Sequence, residues 1–114
     1  MVITQHWPHF DRVLMIDEDT QSTLFINIEK DVDYGYRETA WLWNLYVKEE
    51  YREQGIATKL IKDAEQAAKK KGCVATFLKW NELMSDGFTK DWYRRLGYTI
   101  KEVQDSYIIY EKIL

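Results

Sequence analysis

The chain has 114 residues, 46% of them hydrophobic and 31% charged, with a net charge of −3. That is the make-up of one folded domain, residues 1–114, too short for two comfortable cores and too apolar to stay disordered. Without a basic excess, nucleic acid is not an expected partner, because phosphate backbones are held by clustered Lys and Arg.

Nothing at the start, MVITQHWPHFD, combines a cationic segment with an apolar stretch, so no secretory leader is expected. No apolar run approaches the ~20 residues of a membrane span, so no membrane partner is expected either. Cys73 is the single cysteine, which leaves no internal disulfide and suits a buried free thiol in a cytoplasmic, reducing setting.

Phe10 to Asp17 reads as a strand, EDTQS as a polar turn, and Thr23 to Glu29 as a second strand closing a hairpin. KDVDYGYRE is a loop. Thr39 to Val47, TAWLWNLYV, is apolar at nearly every position and reads as a strand buried on both faces. Asn44 is its polar exception, either satisfying a backbone group or facing a ligand.

Ile56, Ala57, Leu60, Ile61, Ala64, Ala67 and Ala68 then recur at helical spacing, with Lys and Glu on the other side and Gly72 where a C-terminal cap belongs. Lys69, Lys70 and Lys71 read as a solvated helix end favoured by the macrodipole. CVATFLKW is a fourth strand, and strand–helix–strand predicts a crossover onto a parallel neighbour. NELMSDG is a loop, with Asp86 as N-cap of a second helix over GFTKDWYRRL, ended by Gly97. YTIKEV and SYIIYEKIL form a closing strand pair. The fold class is α/β, a mixed central sheet with two main helices.

The junction YREQGIAT, Tyr51 to Thr58, lies between a buried strand and a helix. Backbone N–H groups at a helix start have no intrahelical partner and carry a partial positive charge, which makes such a junction an anion cradle. Gly55 lets the backbone approach an anion closely. Arg52 adds a guanidinium that forks onto phosphate oxygens, Gln54 an amide donor, Thr58 a hydroxyl, and Ala57 leaves room. The stretch suits a phosphate or pyrophosphate. The nucleoside triphosphate loop and the three-glycine dinucleotide fingerprint are both absent.

LYVKEEYREQGIATKLI followed by DWYRRLGY resembles the GNAT N-acyltransferase superfamily. In that family a buried strand ends in a Leu-x-Val type sequence before an Arg/Gln-x-x-Gly-x-Gly/Ala loop, and a later helix ends in aromatic-Tyr-x-x-x-Gly-aromatic. The resemblance covers roughly Thr39 to Leu114. It implies a pyrophosphate loop for acetyl-CoA at Arg52, Glu53, Gln54, Gly55, Ile56, Ala57 and Thr58. It implies a bulged strand end, Leu45, Tyr46 and Val47, that pairs with the pantetheine arm and offers an N–H to the thioester carbonyl. Tyr93 aligns with the tyrosine that protonates the departing thiolate. It is otherwise a core aromatic beside Trp92.

Three departures qualify the resemblance. Asp86 stands where the family often has a cofactor-contacting Asn, and serves either that role or a cap. Glu82 is the nearest match to the family's general base but lies one residue off, after Asn81, on the other face of a strand. Before Thr39 no amphipathic helix pattern is visible, so the part that normally walls the acceptor pocket is reduced or absent, and Trp7, Trp41, Trp43 and the tyrosines of DYGY either line an open surface or pack the core. An exposed apolar patch there would favour a homodimer. His6 and His9 read as surface or capping residues, and no metal site is read.

The expected function is transfer of an acetyl group from acetyl-CoA to a primary amine of a small molecule or protein, by direct attack in a ternary complex. The alternative is a non-catalytic CoA-binding or interaction module on the same fold.

Overall fold

Apolar residues on alternate positions give the chain its first layer. In Val13, Met15, Leu24, Ile26 and Ile28 every second side chain of two neighbouring strands is buried, the period-2 pattern of a sheet with one face on a core. The computed structural model describes residues 1–29, 39–81 and 87–114. Its elements are β1 (Val2–His6), β2 (Phe10–Asp17), β3 (Ser22–Glu29), β4 (Thr39–Tyr46), a 3-10 turn over Glu49–Tyr51, α1 (Ile56–Lys70), β5 (Ala75–Asn81), α2 (Gly87–Arg95), β6 (Thr99–Val103) and β7 (Tyr107–Ile113).

The strands form one seven-stranded sheet in the order β1-β2-β3-β4-β5-β7-β6. Neighbours are antiparallel except β4 and β5, which are parallel, with α1 as their crossover. The fold class expected from the sequence is therefore the one observed. The first strand is an addition: β1 pairs with β2, but all five of its residues are exposed, so it lacks the burial alternation that marks a strand in sequence. Several bounds also move by one or two residues, among them β4 ending at Tyr46 and β5 starting at Ala75. The expected N-cap at Asp86 and the DYGY tyrosines lie outside the described residues.

α1 buries Leu60, Ile61, Ala64, Glu65 and Ala68 against the sheet, in one cluster with Val13, Leu24, Ile26, Ala40 and Leu42. Trp92 and Tyr93 of α2, and Leu96 just after it, pack against the same cluster, so both helices cover one face of the sheet. The opposite face holds a smaller cluster of Ala75, Phe77 and Ile109 under Trp41 and Tyr107. Among the described residues no helix precedes β4.

Both helices end alike. Gly72 N–H donates to the Lys69 carbonyl and Cys73 N–H to Ala68, and Gly97 N–H donates to Arg94 and Tyr98 N–H to Tyr93. In each case the paired bonds satisfy two carbonyls the helix end would leave open.

A polar knot joins α1 to the far half of the sheet. The Tyr98 hydroxyl donates to Glu65 Oε2 at 2.8 Å and shares a 2.7 Å bond with Thr76 Oγ1, while Lys112 Nζ donates to Glu65 Oε1 at 3.1 Å. All of Glu65, Thr76 and Tyr98 are buried. Burial, more than any other cause, raises the Tyr98 phenol above its ordinary value, so it is a hydrogen-bond donor at every working pH. Tyr98→Phe would keep the ring and strand two buried polar groups. We expect a loss of about 1–3 kcal/mol, the usual range for an orphaned buried partner, read as a lower urea midpoint with unchanged slope.

Candidate functional site

The site begins with an irregularity in β4. Against β3 the register runs from Phe25↔Trp43 to Thr23↔Tyr46, with a shift between them. Two steps on β3 therefore match three on β4, which is a bulge. Asn44 sits inside it with φ 53, a left-handed conformation that asparagine tolerates better than most side chains. On its other side β4 pairs with β5 only from Thr39↔Ala75 to Leu42↔Leu78, although β5 continues to Asn81 in register with β7. Beyond Leu42 the two parallel strands part, and the β4 edge at Leu45, Tyr46 and Val47 faces a gap.

The loop after β4 brings the start of α1 to that gap. Tyr51 N–H donates to the Lys48 carbonyl and Arg52 N–H to Glu49. Glu53 and Gly55 then take φ values of 64 and 79, which turns the chain into the helix. The first bond of α1 is Lys59 N–H to the Gly55 carbonyl at 3.0 Å. No side chain caps the helix, so the N–H groups of Ile56, Ala57 and Thr58 have no intrahelical partner and point a partial positive charge outward.

A groove of about 600 Å³ runs along these groups, lined by Leu45, Tyr46, Val47, Tyr51, Arg52, Glu53, Gly55, Ile56, Ala57, Thr58 and Trp92. Nine of the expected cofactor-binding positions thus line one groove. Gln54 does not. Its amide donates to the Glu50 carbonyl at 3.3 Å and is engaged within the loop. Arg52 is also partly engaged, its Nε donating to the Val47 carbonyl at 3.1 Å, which ties the strand end to the loop and leaves the terminal guanidinium nitrogens for other partners. Glu82 and Asp86 lie outside the described residues.

Tyr93 is half-buried among rings, edge-on to Tyr110 at 5.3 Å and tilted to Tyr98 at 6.5 Å. Burial first, and the Tyr110 phenol second, push its pKa up to about 12. Its neighbour Trp92 is the residue of α2 on the groove wall, and Trp92 Nε1 donates to Thr58 Oγ1 at 3.2 Å. Sequence reasoning placed neither Trp92 nor Tyr51 in the groove. A tryptophan at helical spacing with Leu96 carries no signal that separates a groove wall from a core.

The groove thus joins a sheet that parts between parallel strands to an uncapped helix start at its mouth. Residues 10–100 match the family model of the acetyltransferase (GNAT) domain, and the chain belongs to that family. No curated protein matches it.

Solved structures share the fold. A protein assigned to the GNAT acetyltransferases from Desulfovibrio desulfuricans is 16% identical with a TM-score of 0.74, over 92% of this chain and 69% of that one. The PaiA N-acetyltransferase of Thermoplasma acidophilum, in complex with coenzyme A, is 24% identical with a TM-score of 0.68, over 93% and 62%. A protein assigned as a streptothricin acetyltransferase from Bacillus anthracis, in complex with acetyl coenzyme A, is 17% identical with a TM-score of 0.68, over 96% and 65%. The chain spans less than two thirds of the length of the last two.

Gly55 gives a direct test of the loop. A Cβ built there meets nothing within 4 Å, so crowding is not what excludes other residues. The φ of 79 is. We expect Gly55→Ala to cost about 1–2 kcal/mol, the value of one left-handed non-glycine residue, measured by urea unfolding. A much larger loss would point to crowding instead.

Proposed function

We propose that this protein transfers an acetyl group from acetyl-CoA to a primary amine, by direct attack of the amine in a ternary complex. The observation that carries the reading is the groove that starts at the parted edge of β4 and ends at the uncapped start of α1. An extended arm with amide groups fits the first, because an unpaired strand edge accepts an added strand. A pyrophosphate fits the second, because three free N–H groups and the helix dipole converge there. When bound, acetyl-CoA supplies a thioester whose carbonyl carbon accepts the amine and whose sulfur departs as a thiolate.

The chain's own residues do the rest. Leu45, Tyr46 and Val47 offer backbone groups to the arm, and an N–H among them stabilises charge on the thioester oxygen. Arg52, Gly55, Ile56, Ala57 and Thr58 hold the pyrophosphate. Tyr93 is the group proposed to hand a proton to the departing sulfur. With a pKa near 12 it stays protonated at neutral pH, which an acid must be. Glu82 is the candidate base.

One observation favours a second reading, a CoA-binding module without turnover. Tyr93 packs among Tyr98 and Tyr110 and is not a wall of the groove, whereas Trp92 is. Thioester cleavage across a panel of amines separates the two readings.

Binding is tested by calorimetry with coenzyme A. Gly55→Val adds a branched side chain at the left-handed residue beside the free N–H groups, and we expect affinity to fall at least tenfold. Unchanged affinity would remove the loop from the pyrophosphate site.

Chemistry is tested with Tyr93→Phe, which keeps the ring packing and deletes the hydroxyl. Turnover should fall by about 10²–10⁴-fold, the range of general acid catalysis, with little change in cofactor affinity. The pH dependence has a definite sign. The acid is lost only when Tyr93 ionises, so no alkaline limb of the rate profile belongs to it until pH nears 12. The same raised pKa makes the folded state hold its proton longer than the unfolded chain, whose phenols ionise near pH 10. Stability should therefore be level below about pH 10 and fall as pH rises towards 12.

A further inference from the structure

On the face of the sheet opposite α1 and α2, an arginine is set among aromatic rings. Arg12 shares the parity of Phe10 and stands in register with Asn27 on β3. Its guanidinium carbon lies 5.6 Å from the centre of the Phe10 ring and 5.3 Å from that of Trp43. The rings are themselves held, Trp43 stacked on Phe25 at 4.7 Å and Trp7 on Phe10 at 6.0 Å. Among the described residues no carboxylate forms an ion pair with Arg12. Its Nε is buried and has no acceptor, and the Oδ1 of Asn27 is buried and has no donor.

Each of these is costly on its own. A buried N–H without an acceptor loses its water and gains nothing, and a partly buried cation without a partner loses more. Cation–π contact satisfies the faces of the guanidinium. Its edge, where Nε and the terminal nitrogens form a fork, is matched by a carboxylate. An acceptor without a donor, Asn27 Oδ1, asks for an N–H close to that carboxylate. Arg12 is partly exposed and Trp43 38% exposed, so the patch borders solvent although Nε and Asn27 Oδ1 themselves are covered.

The position matters as much as the chemistry. Trp43 lies immediately before Asn44 and the bulge, two residues ahead of the strand edge to which the proposed function assigns the thioester. The opposite side of the sheet is filled by the core under α1 and α2. At the gap the helix side is the groove that the proposed function gives to the cofactor, which leaves the face that Arg12 and Trp43 occupy for the acceptor amine.

We infer that Arg12, with Asn27 and the stacked rings, forms an acceptor subsite for a carboxylate, so that the amine acceptor is an amino acid or a similar compound carrying both groups. The inference rests on the acetyl-transfer reading, and its test is arranged so that the two can fail separately.

Protein saturated with coenzyme A is titrated with amino acids and with the carboxamides of the same amino acids, followed by tryptophan fluorescence, and both sets are run as acceptors in the thioester assay. We expect the acids to bind saturably and to be acetylated with the lower KM, with the carboxamides weaker by roughly 10- to 100-fold, the range of one charge-assisted pair. Arg12→Gln should abolish that preference without lowering the urea midpoint, and Arg12→Lys should restore it only in part. Equal binding of acid and carboxamide by the wild-type protein, or binding of neither, overturns the subsite, and this comparison needs no variant to fold. Failure of coenzyme A to bind, or of every amine to react, bears on the transfer reading instead, because a parallel fluorescence titration of the protein without coenzyme A reports by itself whether the acids are preferred.

Discussion

One residue in a left-handed conformation, Asn44 inside β4, is the constraint from which the rest of the site follows. A parallel pair of strands left to itself would pair along its whole length, because every unpaired backbone group inside a sheet costs free energy. The bulge supplies one residue too many against β3 and bends the strand away from β5, which stays straight because β7 holds it in register to Asn81. The gap is thus built into the pairing of the sheet, and α1 starts at its mouth after the turn that follows Val47.

The second tie runs between the helices. Trp92 Nε1 to Thr58 Oγ1 joins α2 to the first turn of α1, and the knot of Glu65, Tyr98, Thr76 and Lys112 joins the middle of α1 to β5 and β7. Since Trp92 donates to the Thr58 oxygen, the hydroxyl proton of Thr58 is left to point elsewhere, and the groove is where the helix start is open. α2 carries Tyr93 next to Trp92, so the element proposed to hold the cofactor and the element proposed to hold the acid are linked by one hydrogen bond and one buried network.

Much of this was legible in the sequence wherever a period or a cap decided the structure. The β2–β3 hairpin, the amphipathic α1 with its glycine stop, the parallel crossover and the closing strand pair all follow from apolar spacing and from residues suited to turns. The glycine turn into α1 was legible as well, in Gly55 and the small residues that follow it at the strand–helix junction. Other features had no local signal. β1 has no buried face, so its five residues show no alternation. Asn44 was noticed as the polar exception in an apolar run, but a side chain's polarity does not reveal that its value lies in its φ. Gln54 suits a phosphate by chemistry, and only the path of the loop shows its amide turned to Glu50.

The two faces of the sheet divide the work of the proposed reaction. The face under the helices has to be closed, because the aromatic cluster around Tyr93 and the polar knot at Glu65 exist only where water is kept out. The other face carries Trp7, Phe10, Phe25, Trp41 and Trp43 as stacked pairs or packed rings, not as isolated exposed residues, which is a way to stiffen a surface that no described helix covers. A rigid wall of rings cannot choose between amines, since every hydrocarbon fits it about equally well. Selectivity on such a wall has to come from its few polar groups, and a polar group discriminates most when it is buried and unpaired in the absence of the right ligand. Among the described residues Arg12, Asn27 and Thr39 carry atoms in that condition on this face, and of these Arg12 and Asn27 stand in register with each other, one ring away from the bulge that opens the sheet.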